Sequence, residues 1–132
     1  ASAPAAPMHL DSPNGWDVPE ALHRLGNRPE ALKTALDLMH SSTLADLAKL
    51  QEALDESQWA QARQLVHRIK GGARMLSIHH LGSACDRCEP LLREQTHSSK
   101  RVPQLQEELN HLLDLLEALP AQIDAVRAQL QP

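Results

Sequence analysis

An all-α fold, an antiparallel four-helix bundle with a short additional N-terminal helix, is what this sequence predicts. Three observations lead to it. Apolar residues recur at steps of three and four along four long segments, the spacing of amphipathic helices. No stretch alternates apolar and polar residues with the period of a strand, and glycine is confined to Gly15, Gly26, Gly71, Gly72 and Gly82. The chain has 132 residues, the size of one domain at roughly 100–200 residues each. Four helices that must each bury one stripe satisfy one another as a bundle.

Residues 1–14 are rich in Ala, Pro and Ser, lack apolar periodicity and read as a linker, with the bundle over 15–132. They show no basic stretch followed by an apolar run, so they do not resemble a signal peptide. The chain does not start with methionine, which fits both a piece of a longer protein and a processed one. The short first helix, about 17–25, is signalled by Asp17 as N-cap, Pro19 in the first turn and Glu20 three residues after the cap, and it closes at Gly26. The same device recurs in Asn27, Pro29 and Glu30. From there Leu32, Leu36, Met39, Thr43, Leu47, Leu50 and Leu54 mark a long amphipathic helix.

After Asp55, Glu56 and Ser57, the positions Trp59, Ala62, Val66, Ile69, Ala73 and Leu76 form a seam facing other helices. A further stripe runs through Leu81, Ala84, Cys85, Cys88, Leu91 and Leu92, with Pro90 expected to kink its helix. The turn formers Thr96 to Ser99 end it. The last helix carries Leu105, Leu109, Leu112, Leu116, Leu119, Ile123, Val126 and Leu130. Its phase survives Pro120, which predicts a kink there, with a full break as the alternative.

Composition excludes several functions. Phe and Tyr are absent and only Trp16 and Trp59 are aromatic, so stacking platforms for single-stranded nucleic acid are missing. A net charge of −4 is the wrong sign for a chain that neutralises many phosphates, so no nucleic-acid partner is expected. Two cysteines make no disulfide framework, and no apolar run approaches the ~18 residues of a membrane span. A cytoplasmic domain without direct membrane contact is the expectation.

Projection of residues 58–76 on a helix places Arg63, His67, Lys70 and Arg74 on a basic ridge beside the apolar seam, facing solvent. Gly71 lies one turn after His67, and Gly72 follows it. Each interior glycine costs a helix about 0.5–1 kcal/mol relative to alanine. Ending the helix there is one explanation. The seam keeps its phase through Ala73 and Leu76, however, so the helix is expected to run on. A missing side chain at Gly71 then clears space beside the imidazole for a bulky partner, and Lys70 sets an ammonium near any anion on His67. That arrangement suits a histidine carrying a phosphoryl group. Neutral imidazole is a nucleophile near neutral pH, the ordinary histidine pKa being about 6.5, and the surrounding cations are expected to oppose its protonation.

The run His67-Arg-Ile-Lys70-Gly71-Gly72-Ala73 resembles the H-x-x-K-G signature of histidine-containing phosphotransfer (HPt) domains, the bundle modules of phosphorelays. The likeness extends downstream to Leu81, Cys85, Cys88 and Glu89, which match three apolar positions and an acidic one, and covers about residues 29–97. Ser77 departs from it, standing where the family usually has glycine, and so does Pro90.

The resemblance implies a two-way carrier. His67 accepts a phosphoryl group from the aspartyl phosphate of a response-regulator receiver domain and passes it to another receiver's aspartate, with the receiver supplying Mg²⁺ and the domain holding no cofactor of its own. Lys70 neutralises phosphoryl charge and Gly71 admits the partner's loop. The helical projection, and not the resemblance, adds Arg63 and Arg74 as receiver-docking or steering charges, with Gly72 also expected at the docking surface and Leu65 and Ile69 flanking the ridge as an exposed apolar patch. No nucleotide-binding loop is present, so the isolated domain is expected to be a monomeric relay and not a kinase. Its parent is expected to be a hybrid (Bvg/Evg-type) sensor histidine kinase anchored in the inner membrane, with this domain at its C-terminus.

Two other classes compete with this reading. A helical adaptor would use the bundle only to dock partners and would not need His67. A small metal-binding bundle would draw on His79, His80, Cys85 and Cys88, although both cysteines fall on the apolar stripe, where free cysteine behaves as a small hydrophobe. His9, His23, His40, His97 and His111 share no spacing, and Glu107, Glu108, Asp114 and Glu117 are solvent-face charges with no di-iron pattern.

Overall fold

Five helices and no strand occupy residues 9–131, the part of the chain that the computed structural model describes. They are α1 (Val18–Arg24), α2 (Pro29–Asp55), α3 (Trp59–Met75), α4 (His79–Thr96) and α5 (Leu105–Gln129). The four long helices form a closed ring of neighbours, α2 on α3, α3 on α4, α4 on α5 and α5 on α2. Contacts across three of these pairs run in opposite sequence directions. His67 meets Glu89 while Lys70 meets Asp86, Asp37 meets Arg127 while His40 meets Asp124, and Gly72 faces Met39 while Arg68 meets Asp46. The result is the expected antiparallel bundle with a short helix in front.

The core is aliphatic apart from the buried Trp16, as the lack of Phe and Tyr requires. On α5 every residue of the predicted stripe is buried except Leu130, which is partly covered. On α2 the stripe turns: Leu47 and Leu54 are only partly buried, while Asp46 and Ala53 point inward. The buried positions 32, 36, 39, 43, 46, 50 and 53 alternate steps of four and three throughout, the seam of packed helices, whereas the predicted stripe takes two steps of four in succession and so leaves that seam at Leu47 and Leu54. Asp46 is tolerated inside because Arg68 of α3 pairs with it. Ile69 is buried at 4% exposure, as its place on the seam requires, and Leu65 at 7%, so neither forms the exposed flank of the ridge also expected of them.

Chain ends of the helices explain two departures. Asp17 caps α1 as predicted, its carboxylate accepting from the Glu20 N–H at 3.0 Å. Asn27 does not cap α2. It follows Gly26 in the left-handed region (φ 59°) and donates its N–H to the Leu22 carbonyl, ending α1, while Arg28 begins α2 without a side-chain cap. α3 runs straight through Gly71 and Gly72 to Met75 and is closed by Ser77, also left-handed (φ 55°), with Ile78 N–H donating to the Ala73 carbonyl. Glycine suits that conformation best, and an ordinary residue pays about 1–2 kcal/mol there. The buried Ser77 hydroxyl offsets part of this by donating to Glu20 Oε1 at 3.1 Å.

Residues 1–8 of the expected linker lie outside the described residues. Residues 9–17 lie against the bundle: Leu10 is buried, the Trp16 indole N–H donates to the Leu76 carbonyl, and Asp11 exchanges two hydrogen bonds with Gln129. Gly15 (φ 80°) packs on His80 so closely that a Cβ would lie 2.5 Å from the ring. α4 and α5 each continue as one helix through Pro90 and Pro120, so the alternative of a full break at Pro120 does not occur. Pro90 is exposed, where water can meet the carbonyl it leaves without a partner. Gln95, buried at the end of α4, holds the connection to α5 by donating to the Ser98 and Lys100 carbonyls and accepting from Val102 N–H.

Candidate functional site

His67 projects from the middle of α3, its side chain 72% exposed, over the groove between α3 and α4. The ridge residues are fixed by helix periodicity, and the partners they meet come from α4. Glu89, one turn past Asp86 on α4, sits between two of them: Oε1 lies 3.0 Å from His67 Nδ1 and Oε2 accepts from Lys70 Nζ at 3.0 Å. Lys70 also reaches Asp86 at 3.3 Å, and Arg74 pairs with the same carboxylate at 3.2 Å. The ridge is therefore not a row of free cations. Lys70 is 13% exposed and committed to two carboxylates, and Arg74, two turns from His67, is committed to one.

Burial pushes the Glu89 carboxyl up, but hydrogen bonds from Lys70 and His67 and their charges outweigh it and hold it below the ordinary carboxylate range. The hydrogen bond to Glu89, with help from Asp86, holds Lys70 above its ordinary value against the opposing effect of burial. An ionised carboxylate only accepts, so His67 Nδ1 is the donor and carries the proton. Nε2 makes no hydrogen bond among the described residues and faces solvent, so in the neutral ring with its proton on Nδ1 it is the nitrogen that bears the lone pair. The expected opposition of cations around His67 is thus replaced by an anion in contact with one ring nitrogen and a lysine behind it.

The two shifts fix a pH window. Glu89 contributes stability that is present above its ordinary pKa of 4.5 and lost as pH falls through its lower folded value. Lys70 contributes stability present below 10.5 and lost as pH rises through its higher folded value. Glu89→Gln should make the acid limb of urea-unfolding stability, measured from pH 6 down to 3, shallower, and should also shrink the alkaline limb to the share that Asp86 gives Lys70. An unchanged acid limb would show that Glu89 is not coupled to folding.

Gly71 and Gly72 separate in role. A Cβ at Gly71 would meet nothing within 4 Å, so the surface beside His67 is open there. Gly72, expected at the docking surface, turns instead toward α2, where a Cβ would meet Met39 Sδ at 3.4 Å. On the other side of the ring a cleft of about 300 Å³ is lined by Arg63, Gln64, His67, Glu89 and Arg93.

The metal-site alternative is not assembled. Cys85 and Cys88 are fully buried on the core face of α4, and burial pushes both thiols up to about 12. Native protein should therefore resist alkylation by iodoacetamide at pH 8 and react at both cysteines once unfolded, read by intact mass. Rapid labelling of the native state would contradict this burial. Among the described residues the one ligand-like group is Asp17, Glu20 and His79, and its atoms already bond one another, Ser77 and Arg24.

A family model for the Hpt domain matches residues 34–129, most of the chain. The chain belongs to the Hpt domain family. Its role is histidine phosphotransfer in phosphorelays, as a carrier that interacts with receiver domains and not as a conventional enzyme. The fold is also that of the crystal structure of the HPT domain from a Shewanella sensor hybrid histidine kinase, with a TM-score of 0.76 at 20% identity over 89% of this chain and 97% of the other. No curated protein matches the chain. Among the described residues, no helix of this HPt domain is long and apolar enough to cross a membrane. Sequence reading had placed Glu89 at an acidic position of the family without giving it a task. It had missed Arg93 altogether, because a projection of one helix cannot show what a second helix brings to it.

Proposed function

We propose that His67 is the phosphoryl acceptor, taking its group from the aspartyl phosphate of one receiver domain and giving it to the aspartate of another. The observation that carries this reading is the pinned imidazole: Nδ1–H donates to Glu89 while Nε2 stands free on an exposed ring beside a glycine. Nε2 attacks phosphorus, the bond from phosphorus to the aspartate oxygen breaks, and the electron pair leaves with the carboxylate. The ring then carries a positive charge, shared through the Nδ1–H with the Glu89 carboxylate, which stabilises it. Transfer onward is the same step in reverse on a second receiver.

Lys70 acts through Glu89 in this scheme. It keeps the carboxylate ionised and aimed at Nδ1, so it orients the nucleophile and balances the carboxylate's charge. Mg²⁺ for the transfer belongs to the receiver. The parent chain is a sensor hybrid histidine kinase, the kind of protein that contains the Shewanella domain; it is anchored in the inner membrane, and this module works on the cytoplasmic side as a monomer. The test is incubation with a phosphorylated receiver and Mg²⁺, followed by intact-mass and peptide mapping. One acid-labile, base-stable phosphate on His67 is the expected result. Failure to acquire phosphate from several competent receivers, or phosphate on another residue, would overturn it.

A further inference from the structure

The charges around the imidazole cancel before any phosphate arrives. Glu89 and Asp86 supply two negative charges, Lys70 and Arg74 supply two positive ones, and all four are joined by contacts of 3.0–3.3 Å. A phosphoryl group on Nε2 adds about −1.5 to −2. Cations outside that network must meet it, and two are in place. Arg63, one turn before His67 on α3, and Arg93, one turn past Glu89 on α4, line the same cleft as the imidazole. Among the described residues, neither guanidinium makes an ion pair or a hydrogen bond. Other arginines of the bundle, including Arg24, Arg68, Arg74, Arg87 and Arg127, are engaged with carboxylates.

We infer that Arg63 and Arg93 form a two-sided clamp that binds the phosphoryl group carried on His67, a task that sequence reading assigned to Lys70. The inference rests on His67 being the acceptor. A guanidinium from each helix can donate charge-assisted hydrogen bonds to phosphoryl oxygens that the tied ammonium of Lys70 does not provide. The clamp also explains why the two residues stay unpaired: a carboxylate partner would have to be displaced at every turnover.

A docking role for these arginines makes a different prediction, which an equilibrium separates. Surface charges that only guide the receiver change forward and reverse rates together and leave the equilibrium constant for phosphoryl exchange untouched. Groups that hold the phosphoryl on His67 shift that constant. The experiment is the partition of phosphate between the whole chain and a receiver domain at fixed ionic strength, for wild type, Arg63→Ala, Arg93→Ala, the double variant and Arg93→Lys. Each alanine should move the constant about tenfold toward the receiver, the magnitude of a charge-assisted hydrogen bond, with Arg93→Lys recovering part of it. Slower exchange at an unchanged constant would overturn the clamp and leave His67 standing. Phosphate that maps to another residue in wild type would overturn both. Arg93 is exposed and Arg63 half-buried, and neither has a partner to lose, so the variants are expected to keep the fold, which circular dichroism and urea unfolding check.

Discussion

His67→Gln leaves the bundle as stable as wild type and unable to take up any phosphate. The expected loss is complete, because a carrier must bind its cargo covalently and an amide nitrogen is not a nucleophile toward phosphorus. Stability should stay within ±0.5 kcal/mol, the usual range for an exposed position, since the side chain is mostly in solvent and glutamine can still donate to Glu89. Intact mass after incubation with a phosphorylated receiver gives the first quantity, and urea unfolding gives the second. The pairing of outcomes matters. Loss of phosphate together with a large loss of stability would point to a structural histidine, and retained phosphate would place the acceptor on another residue. Glu89→Gln distinguishes positioning from nucleophilicity: the label should still appear, more slowly, because a neutral amide no longer stabilises the charged ring.

The bundle was legible because its signals are local. Asp17 caps the helix it was expected to cap, and the α5 leucines repeat at a spacing that only a helix buries on one side. The unbroken seam through Ala73 and Leu76 carried α3 past two glycines that could have ended it. What stayed hidden depends on which helix faces which. Asp46 reads as a surface charge until Arg68 of α3 arrives beside it, and Lys70 reads as a free cation until α4 delivers Glu89 and Asp86. Gly72 looks like its neighbour on the sequence, yet one step along a helix is 100° of rotation, enough to turn it from solvent toward Met39. Leu10 belongs to a segment with no periodicity at all. A single buried leucine in an irregular segment leaves no pattern to read.

Gly71 should show stability and function moving in opposite directions. Alanine there fills only open space and removes the conformational cost of a glycine inside a helix, so Gly71→Ala is expected to stabilise the bundle by about 0.5–1 kcal/mol. No packing inside the domain accounts for a glycine at this position. On the proposed reading the glycine serves what must approach from outside: a receiver would have to bring its phosphorylated aspartate within bonding distance of Nε2, one turn away on the same face. A longer side chain, as in Gly71→Gln, should hold the receiver back by an ångström or more and slow transfer by on the order of 10²-fold. Phosphoramidate, a small donor that releases ammonia as His67 takes its phosphoryl group, needs no such approach, and its rate should stay within about twofold, as for groups outside the transition state. Stopped-flow transfer from a receiver and phosphorylation by phosphoramidate, compared on the same variant, measure the two. Equal slowing of both would mean that residue 71 acts on the imidazole itself, and no slowing of either would remove steric clearance from the account of this site.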